Sequence, residues 1–163
     1  MEDHSMKIVD GKINFCCKRE LCGHSCCGPF CGVTKELDNI DKRPFDEIVL
    51  TEEDYRRLYE NGYADLIEEG YSAEMKKKYY KMALEPDGTC KALIDGRCSI
   101  HAINPTLCKA FPFYFDMFSG LCAIKCEGFT PNVWSDLKEF TENFENAKKM
   151  YEFWLDFYCS DKK

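Results

Sequence analysis

Cysteine is the residue type whose number and spacing in this chain most clearly point to chemistry. Twelve cysteines occur among 163 residues, and six of them fall within residues 16–31, at Cys16, Cys17, Cys22, Cys26, Cys27 and Cys31. Thiolates this dense, interleaved with Lys, Arg and His, are rarely hydrophobic core. They are typical of metal ligands or of disulfide bridges.

The compartment favours ligands over bridges. The N-terminus lacks the basic and apolar pattern of a secretory signal, so we expect a cytoplasmic protein. In a reducing cytosol, clustered cysteines are more often metal-binding or catalytic than disulfide-bonded. The adjacent pairs Cys16-Cys17 and Cys26-Cys27 also cannot readily bridge internally. Metal or cluster ligation is therefore the leading interpretation, with structural disulfides and a redox-active thiol site as the alternatives.

The spacing of the cysteines does not by itself identify the metal. A soft metal prefers thiolates, and a tetrahedral site needs four of them or a mixture of Cys and His. Cys22-x3-Cys26 and Cys122-x3-Cys126 are each compatible with half of a zinc site. Neither the bacterial ferredoxin run nor the C-x2-C…H-x3-5-H pattern is present. His24 and His101 are secondary candidates for ligands. Three cations near the thiolates could offset the negative charge of a cluster: Lys18, Arg19 and Lys109.

Net charge and hydropathy exclude two classes of partner. The formal net charge of −7 disfavours nucleic acid, which requires a dense cationic face, and it disfavours an anionic membrane surface. The apolar runs are far shorter than the roughly 20 residues that span a bilayer. We therefore expect neither nucleic acid nor membrane as a partner, and the length suits a single domain over residues 1–163.

The first half of the chain predicts elements that would position these cysteines. Asp10-Gly11 indicates a turn between two short strands. Residues 15–32 predict an irregular loop, which a bound metal would hold in place. Thr51 to Asp54 form a capping-box pattern that begins a helix, and Asn61-Gly62 ends it. Two further helices are predicted over 64–69 and over 73–83, the latter with Met75, Tyr79 and Met82 on its apolar side.

The second half begins with a near-repeat, D-G-x-C at 87–90 and again at 95–98. A two-residue turn at Asp95-Gly96 places Cys98 opposite Leu93 and on a different face from Cys90. Either Cys90 lies in the turn before the strand, or the two cysteines serve different sites. Ser119-Gly120 marks another turn, which leads into a strand over 121–126.

The C-terminal segment predicts a long amphipathic helix over 130–159. Thr130 is its expected N-cap, with Pro131 at the first helical position. Apolar residues then recur at spacings of three and four, which predicts a face that packs on the cysteine-rich region. Docking of this face on a protein partner is the alternative. Cys159, on the same helix, is expected to be a small buried hydrophobe.

Taken in order, the motifs resemble those of the YkgJ-like CxxCxxxCC cysteine-cluster family, which is described as zinc- or iron-chelating. The resemblance covers about residues 15–128. The motifs that carry it are Phe15-x-Cys17, Cys22-Gly23-His24-Ser25-Cys26-Cys27, Leu50-Thr51-x-x-Asp54-x-x-x-Leu58, Asp87-Gly88-Thr89-Cys90, Cys98-Ser99-Ile100-His101, Asn104-Pro105-x-x-Cys108-Lys109-x-Phe111-Pro112-Phe113 and Cys126-Glu127-Gly128.

The resemblance implies a set of eight metal ligands: Cys17, Cys22, Cys26, Cys27, Cys90, Cys98, Cys108 and Cys126. The chain departs from the family pattern in having four residues between its first two cysteines, which leaves Cys16 and Cys17 as competing first ligands. Asn104-Pro105 also replaces the family's Arg-Pro, and Cys126-Glu127-Gly128 replaces its Cys-Pro-Gly. Cys31 and Cys122 lie outside the set as reserve ligands.

The expected protein is therefore a small α+β, cysteine-rich, metal-stapled domain with short hairpins, several helices and a long C-terminal helix. The leading function is to hold an iron–sulfur cluster, of the 4Fe–4S type, or alternatively zinc, in electron transfer or redox sensing with an unidentified redox partner. A second hypothesis is an enzyme, because the family resembles the cysteine-cluster portion of the S-adenosylmethionine-dependent flagellin lysine N-methylases. A third is a metal-stapled protein-interaction module.

Overall fold

A computed structural model describes residues 5–17, 47–124, 126 and 128–160 of the chain. Within these residues the predicted α+β class is confirmed, because short antiparallel sheets alternate with helices. The strands are β1 (Ile8–Val9), β2 (Lys12–Ile13), β3 (Val49–Leu50), β4 (Ile67–Ser72), β5 (Lys77–Met82), β6 (Leu93–Ile94), β7 (Arg97–Cys98), β8 (Phe113–Asp116), β9 (Gly120–Ala123) and β10 (Ser135–Asp136). The α-helices are α1 (Glu52–Glu60), α2 (Thr106–Ala110) and α3 (Thr141–Cys159).

Two hairpins form where Asp-Gly turns predict them. Asp10 and Gly11 have φ angles of 51° and 74° between β1 and β2, and Asp95 and Gly96 have φ angles of 51° and 76° between β6 and β7. Positive φ at both central residues is the geometry of the tight hairpin turn that Asp-Gly favours. The predicted register of the second hairpin is also confirmed, since Leu93 pairs with Cys98.

The capping box at the start of α1 is confirmed. The Thr51 hydroxyl accepts from the Asp54 backbone N–H at 3.1 Å, and Asp54 Oδ2 accepts from the Thr51 N–H at 3.1 Å. The helix ends at Glu60, and Gly62 follows it with a φ of 86°. These local signals therefore set both ends of α1.

The two helices predicted next are wrong. Residues 64–69 form only a 3₁₀ turn, Ala64–Leu66, before β4 begins, and residues 77–82 of the predicted helix 73–83 are β5. These strands pair in a sheet of order β3-β5-β4, with Gly70 opposite Tyr79. A Cβ atom on Gly70 would lie 2.4 Å from the Tyr79 ring, so the pairing depends on that glycine. Tyr79 and Met82 are three residues apart, which is also the spacing of a helix face. In β5 they lie on opposite faces of the strand, and each packs in a different apolar cluster.

The long C-terminal helix exists, but the predicted start at Thr130 is wrong. The Thr130 N–H donates to the Asn14 carbonyl at 3.1 Å, and Ser135–Asp136 pair with β2. A 3₁₀ turn over Leu137–Phe140 follows, and α3 begins only at Thr141. Pairing with a strand more than 100 residues away therefore removes these residues from the helix. α3 contacts α2 and β8. Packing of its apolar face on the cysteine-rich region and docking of that face on a protein partner both stay predictions.

Most of the buried apolar residues that the structure describes fall into three clusters. The first cluster contains Ile48, Leu50, Leu58, Met82, Cys90, Ala92 and Ile100. The second cluster contains Ile13, Phe15, Ala110, Phe113, Phe129 and Ala147. The third cluster, Val49, Tyr79 and Phe157, joins β3 and β5 to the end of α3. In the described part of the chain, none of the helices has the length and apolar character needed to cross a membrane.

Candidate metal centre

Three of the predicted ligands belong to the first cluster. Cys90 is one of its buried members, and Cys98 and Cys108 are half-buried against it. We call Cys90, Cys98 and Cys108 the first thiol group. Its members lie on a bridge segment, at the end of β7 and within α2. Three separate elements thus present sulfur to a single apolar cluster.

Cys90 lies before the hairpin rather than within its strands, which answers the question left open by the repeat. It forms an isolated antiparallel bridge with Leu84, and only 4% of its surface is exposed. The preceding Asp87 carboxylate accepts from the Thr89 N–H at 2.9 Å, and this bond holds the pKa of the exposed Asp87 below its ordinary value. Gly88 has a φ of 89° in the same turn. The first D-G-x-C unit is thus a loop that ends at Cys90, and the second is a hairpin turn that ends at Cys98.

The remaining described candidates gather beside the second cluster. Phe15 forms an antiparallel bridge with Phe129. Cys16 and Cys17 directly follow Phe15, and Cys126 lies three residues before Phe129. The Cys16 N–H donates to the Gly128 carbonyl at 3.0 Å. Cys126 packs half-buried against the second cluster, whereas Cys16 and Cys17 are exposed. We call Cys16, Cys17 and Cys126 the second thiol group.

Gly128 makes this close approach possible. A Cβ atom at position 128 would lie 2.5 Å from the Phe15 ring and 2.8 Å from the Cys16 carbonyl oxygen. The Gly128 N–H also donates to Cys126 Sγ at 3.4 Å. A sulfur that accepts a backbone N–H is suited to carry negative charge, as a metal-bound thiolate does. Gly128 therefore serves both the packing and the electrostatics of this group.

The described residues do not complete a metal site by themselves. Across residues 5–17, 47–124, 126 and 128–160, no three His, Cys, Asp or Glu side chains are grouped so that they could hold a metal ion. The predicted ligands Cys22, Cys26 and Cys27 lie outside the described residues, as do the secondary candidates Lys18, Arg19, His24 and Cys31. The eight-cysteine set thus stays a prediction. The structure describes the positions of five of its members, Cys17, Cys90, Cys98, Cys108 and Cys126.

The other candidates have different surroundings. His101 is exposed, in the 3₁₀ turn His101–Ile103. Cys122 lies half-buried in β9, with its Sγ 3.6 Å from the Gly120 carbonyl oxygen. The expectation that Cys159 is buried is wrong, because it lies exposed at the end of α3. The apolar face of the helix turns away from that position, since Phe157 is the buried residue of its last turn.

Asp54 has a role that the sequence reasoning missed. Its side chain is completely buried, and beyond the capping box its Oδ1 accepts from Arg57 Nη2 at 2.7 Å and from the Thr106 hydroxyl at 2.8 Å. Both of its oxygens also accept from the Thr106 N–H at 3.1 Å. The capping box accounts for Asp54 locally. Two further signals in the sequence are its place in the motif Leu50-Thr51-x-x-Asp54-x-x-x-Leu58 and the cation Arg57 three residues later.

The chemistry of the described donors fits a soft metal or an iron–sulfur cluster. The candidate ligands are thiols, which are preferred by zinc and by iron–sulfur clusters. Cys90 offers sulfur in an apolar, water-poor setting, and Cys126 accepts a backbone N–H. Burial and hydrogen bonding to sulfur are two of the means by which proteins tune such centres. The residues present are therefore compatible with the implied group.

Comparison with known proteins supports metal binding in general. No curated protein and no solved structure matches the chain. A family model named CxxCxxCC, described as "Putative zinc- or iron-chelating domain", matches residues 16–142. The matched range includes all eight predicted ligands as well as the Asp54 network. The chain belongs to this family, whose description is zinc or iron chelation.

Proposed function

We propose that this chain is a cytoplasmic protein that holds an iron–sulfur cluster, of the 4Fe–4S type, and acts in electron transfer or redox sensing. Zinc is the alternative metal. Twelve cysteines exceed what one structural zinc ion requires, which favours a cluster. The proposed ligands are Cys17, Cys22, Cys26, Cys27, Cys90, Cys98, Cys108 and Cys126, with Cys16 as the competitor of Cys17.

The observation that carries this proposal is the shared surroundings of the first thiol group. Cys90, Cys98 and Cys108 come from three elements, and all three pack against the same apolar cluster. They do not form a metal site by themselves among the described residues, so the proposed centre also needs some of the other predicted cysteine ligands. The second thiol group supports the proposal in the same way. The bridge of Phe15 with Phe129 pairs the backbone next to Cys16 and Cys17 with the segment that follows Cys126.

When bound, such a cluster supplies a one-electron redox centre. The protein's own residues would set its properties. The first apolar cluster excludes water from Cys90, and the Gly128 N–H donates to Cys126 Sγ. Lys109 follows Cys108 directly in α2, and a cation near thiolates offsets their negative charge. The N–H donor and the cation would favour the added electron, whereas exclusion of water would oppose the extra negative charge.

Elemental analysis of anaerobically purified protein, combined with its visible spectrum, tests the proposal. We expect iron and acid-labile sulfide in equal amounts, and a brown colour with absorption in the visible region. A colourless protein with stoichiometric zinc would assign the alternative metal. A protein without tightly held metal of either kind, when purified without chelators, would refute metal binding itself.

Cysteine variants test which residues are ligands. Cys98→Ser and Cys108→Ser should each lower the bound iron, because serine is a poor ligand for a soft metal. Cys122→Ser and Cys159→Ser are matched controls, since the first is half-buried like Cys98, the second is exposed, and neither belongs to the proposed set. Equal metal content in all four variants would remove the first thiol group from the ligand set.

A further inference from the structure

The helix α2 connects the two thiol groups. Leu107 and Cys108 pack against the first cluster, whereas Ala110 is a buried member of the second. The helix has five residues, so its own hydrogen bonds alone cannot hold its orientation. Something outside α2 must therefore fix the position of its first turn, which carries the Cys108 thiol.

Asp54 and Arg57 of α1 supply that attachment. The Asp54 carboxylate accepts from both the hydroxyl and the N–H of Thr106, the first residue of α2. Arg57 donates through Nε to the Ile103 carbonyl at 3.3 Å and through Nη2 to the Asn104 carbonyl at 3.0 Å. The residues before α2 and its first residue are thus bonded to a single ion pair.

We propose that Asp54 is a positioning residue for the metal ligand Cys108, acting through its hydrogen bonds to Thr106 at the start of α2. The inference rests on the proposed function, because it concerns a metal that Cys108 helps to hold. It adds a role for a carboxylate that lies outside the proposed set of cysteine ligands. Asp54 links α1 to the ligand through two residues of backbone.

The physical reason is that a buried carboxylate must keep its hydrogen-bond donors. Asp54 is 0% exposed, so any shift of α2 that breaks the Thr106 bonds removes donors from a buried negative charge that water does not replace. That penalty makes one position of α2 much more favourable than its neighbours. A ligand held before metal arrives loses less freedom on binding, which strengthens the metal site.

The test compares two threonine-to-valine substitutions that each remove one hydroxyl bonded to Asp54. Thr106→Val removes the hydroxyl bond from α2 to the Asp54 carboxylate and keeps the Thr106 N–H bonds. Thr51→Val removes only the hydroxyl that accepts from the Asp54 backbone N–H within the capping box of α1. The full chain is purified with its native metal, and release of that metal into excess EDTA is followed. We expect Thr106→Val to accelerate release on the order of tenfold, in the range known for residues that support metal ligands. Thr51→Val should release metal at the wild-type rate.

A second measurement separates positioning from general loss of stability. Alkylation of individual cysteines by iodoacetamide in the metal-loaded protein is quantified by peptide mass spectrometry. Thr106→Val should raise the rate at Cys108 on the order of tenfold and the rate at Cys90 much less, because Cys90 stays buried in the first cluster when metal leaves. Equal acceleration at both cysteines would indicate loosening of the whole first cluster, and it would overturn the inference.

The outcomes for the proposed function and for this inference can be distinguished. If wild-type protein holds no metal, and EDTA does not change its alkylation at Cys108, the proposed function fails and the inference falls with it. If wild-type protein holds metal but Thr106→Val matches it in release rate and alkylation, only the positioning role of Asp54 is overturned.

Discussion

The two thiol groups are positioned by different kinds of interaction. The first group depends on a buried ion pair and on turns, with Asp54 and Arg57 holding the segment that carries Cys108. The second group depends on aromatic packing, with the Phe15 ring centroid 4.7 Å from that of Phe129 and 5.4 Å from that of Phe113. Charge should therefore matter most for the first group and side-chain volume for the second.

The largest effect is expected when a ring of the second cluster is removed. Phe129 is completely buried, and Phe129→Ala should lower the free energy of unfolding by about 3–5 kcal/mol, because a cavity replaces ring contacts. Denaturant titration measures this loss. Phe118→Ala is the matched control, since Phe118 is 92% exposed, and its change should stay within about 0.5 kcal/mol. Similar losses in the two variants would argue against aromatic packing as the support of the second group.

The corresponding change in the first region is Asp54→Asn, which keeps volume and removes charge. An amide cannot accept from Thr51, Arg57 and Thr106 together, so we expect a loss of about 3 kcal/mol, at the lower end for a broken buried ion pair because Arg57 is 25% exposed. Thermal and denaturant unfolding measure it. Asp65→Asn, at an exposed position, should change stability by less than about 0.5 kcal/mol. A loss that small at Asp54 as well would contradict a charge-dependent first region.

A smaller effect is expected at the glycine of the second region. Gly128→Ala should lower stability by about 1–3 kcal/mol, because its Cβ atom would overlap the Phe15 ring. The penalty should shrink in a Phe15→Leu background, where the smaller side chain leaves room for the methyl group. A penalty of equal size in both backgrounds would mean that the Phe15 contact is not its cause.

The smallest effect is expected at two turns, one in each region, where an aspartate carboxylate accepts from nearby backbone N–H groups. The Asp116 carboxylate accepts from the N–H groups of Ser119 and Phe118, which lowers its pKa, as the Thr89 N–H lowers the pKa of Asp87. A lowered folded-state pKa stabilises the fold above the unfolded-state pKa of about 4, and this contribution is lost as the pH falls through the folded-state value.

Carboxyl titration by NMR should place both aspartates below the ordinary range. Asp87→Asn and Asp116→Asn should slightly lower the melting temperature at neutral pH and have no effect at pH values below both pKa values. An ordinary pKa for either aspartate would show that its turn bonds do not persist in solution.

Sequence reasoning succeeded where neighbouring residues determine the backbone. Asp10-Gly11 and Asp95-Gly96 tolerate the left-handed backbone that a tight turn requires, and Thr51 with Asp54 satisfies N–H groups that any helix start leaves open. The cysteine motifs likewise identified the family, because their order along the chain carries the resemblance. Each turn, cap or single motif spans only a few residues.

Sequence reasoning failed where a distant partner decided the outcome. Residues 77–82 have side chains that suit a helix, yet they pair with β3 and β4, and Gly70 provides the space for Tyr79. Likewise, Thr130-Pro131 would begin a helix in isolation, but the Asn14 carbonyl and β2 engage the residues around it. Hydrogen bonds to another strand outweigh local preference, and the sequence of one segment does not reveal them.

The sequence alone determined that this chain carries clustered thiols suited to a soft metal, because ligand chemistry is a property of the residues themselves. The tertiary structure decided which thiols share a neighbourhood, with Cys90, Cys98 and Cys108 on one cluster and Cys16, Cys17 and Cys126 beside another. It also decided that Asp54, a helix cap by sequence, bonds to Thr106 more than 50 residues away. Such bonds depend on which donors lie near the buried carboxylate in the folded chain, and no local sequence pattern specifies those donors.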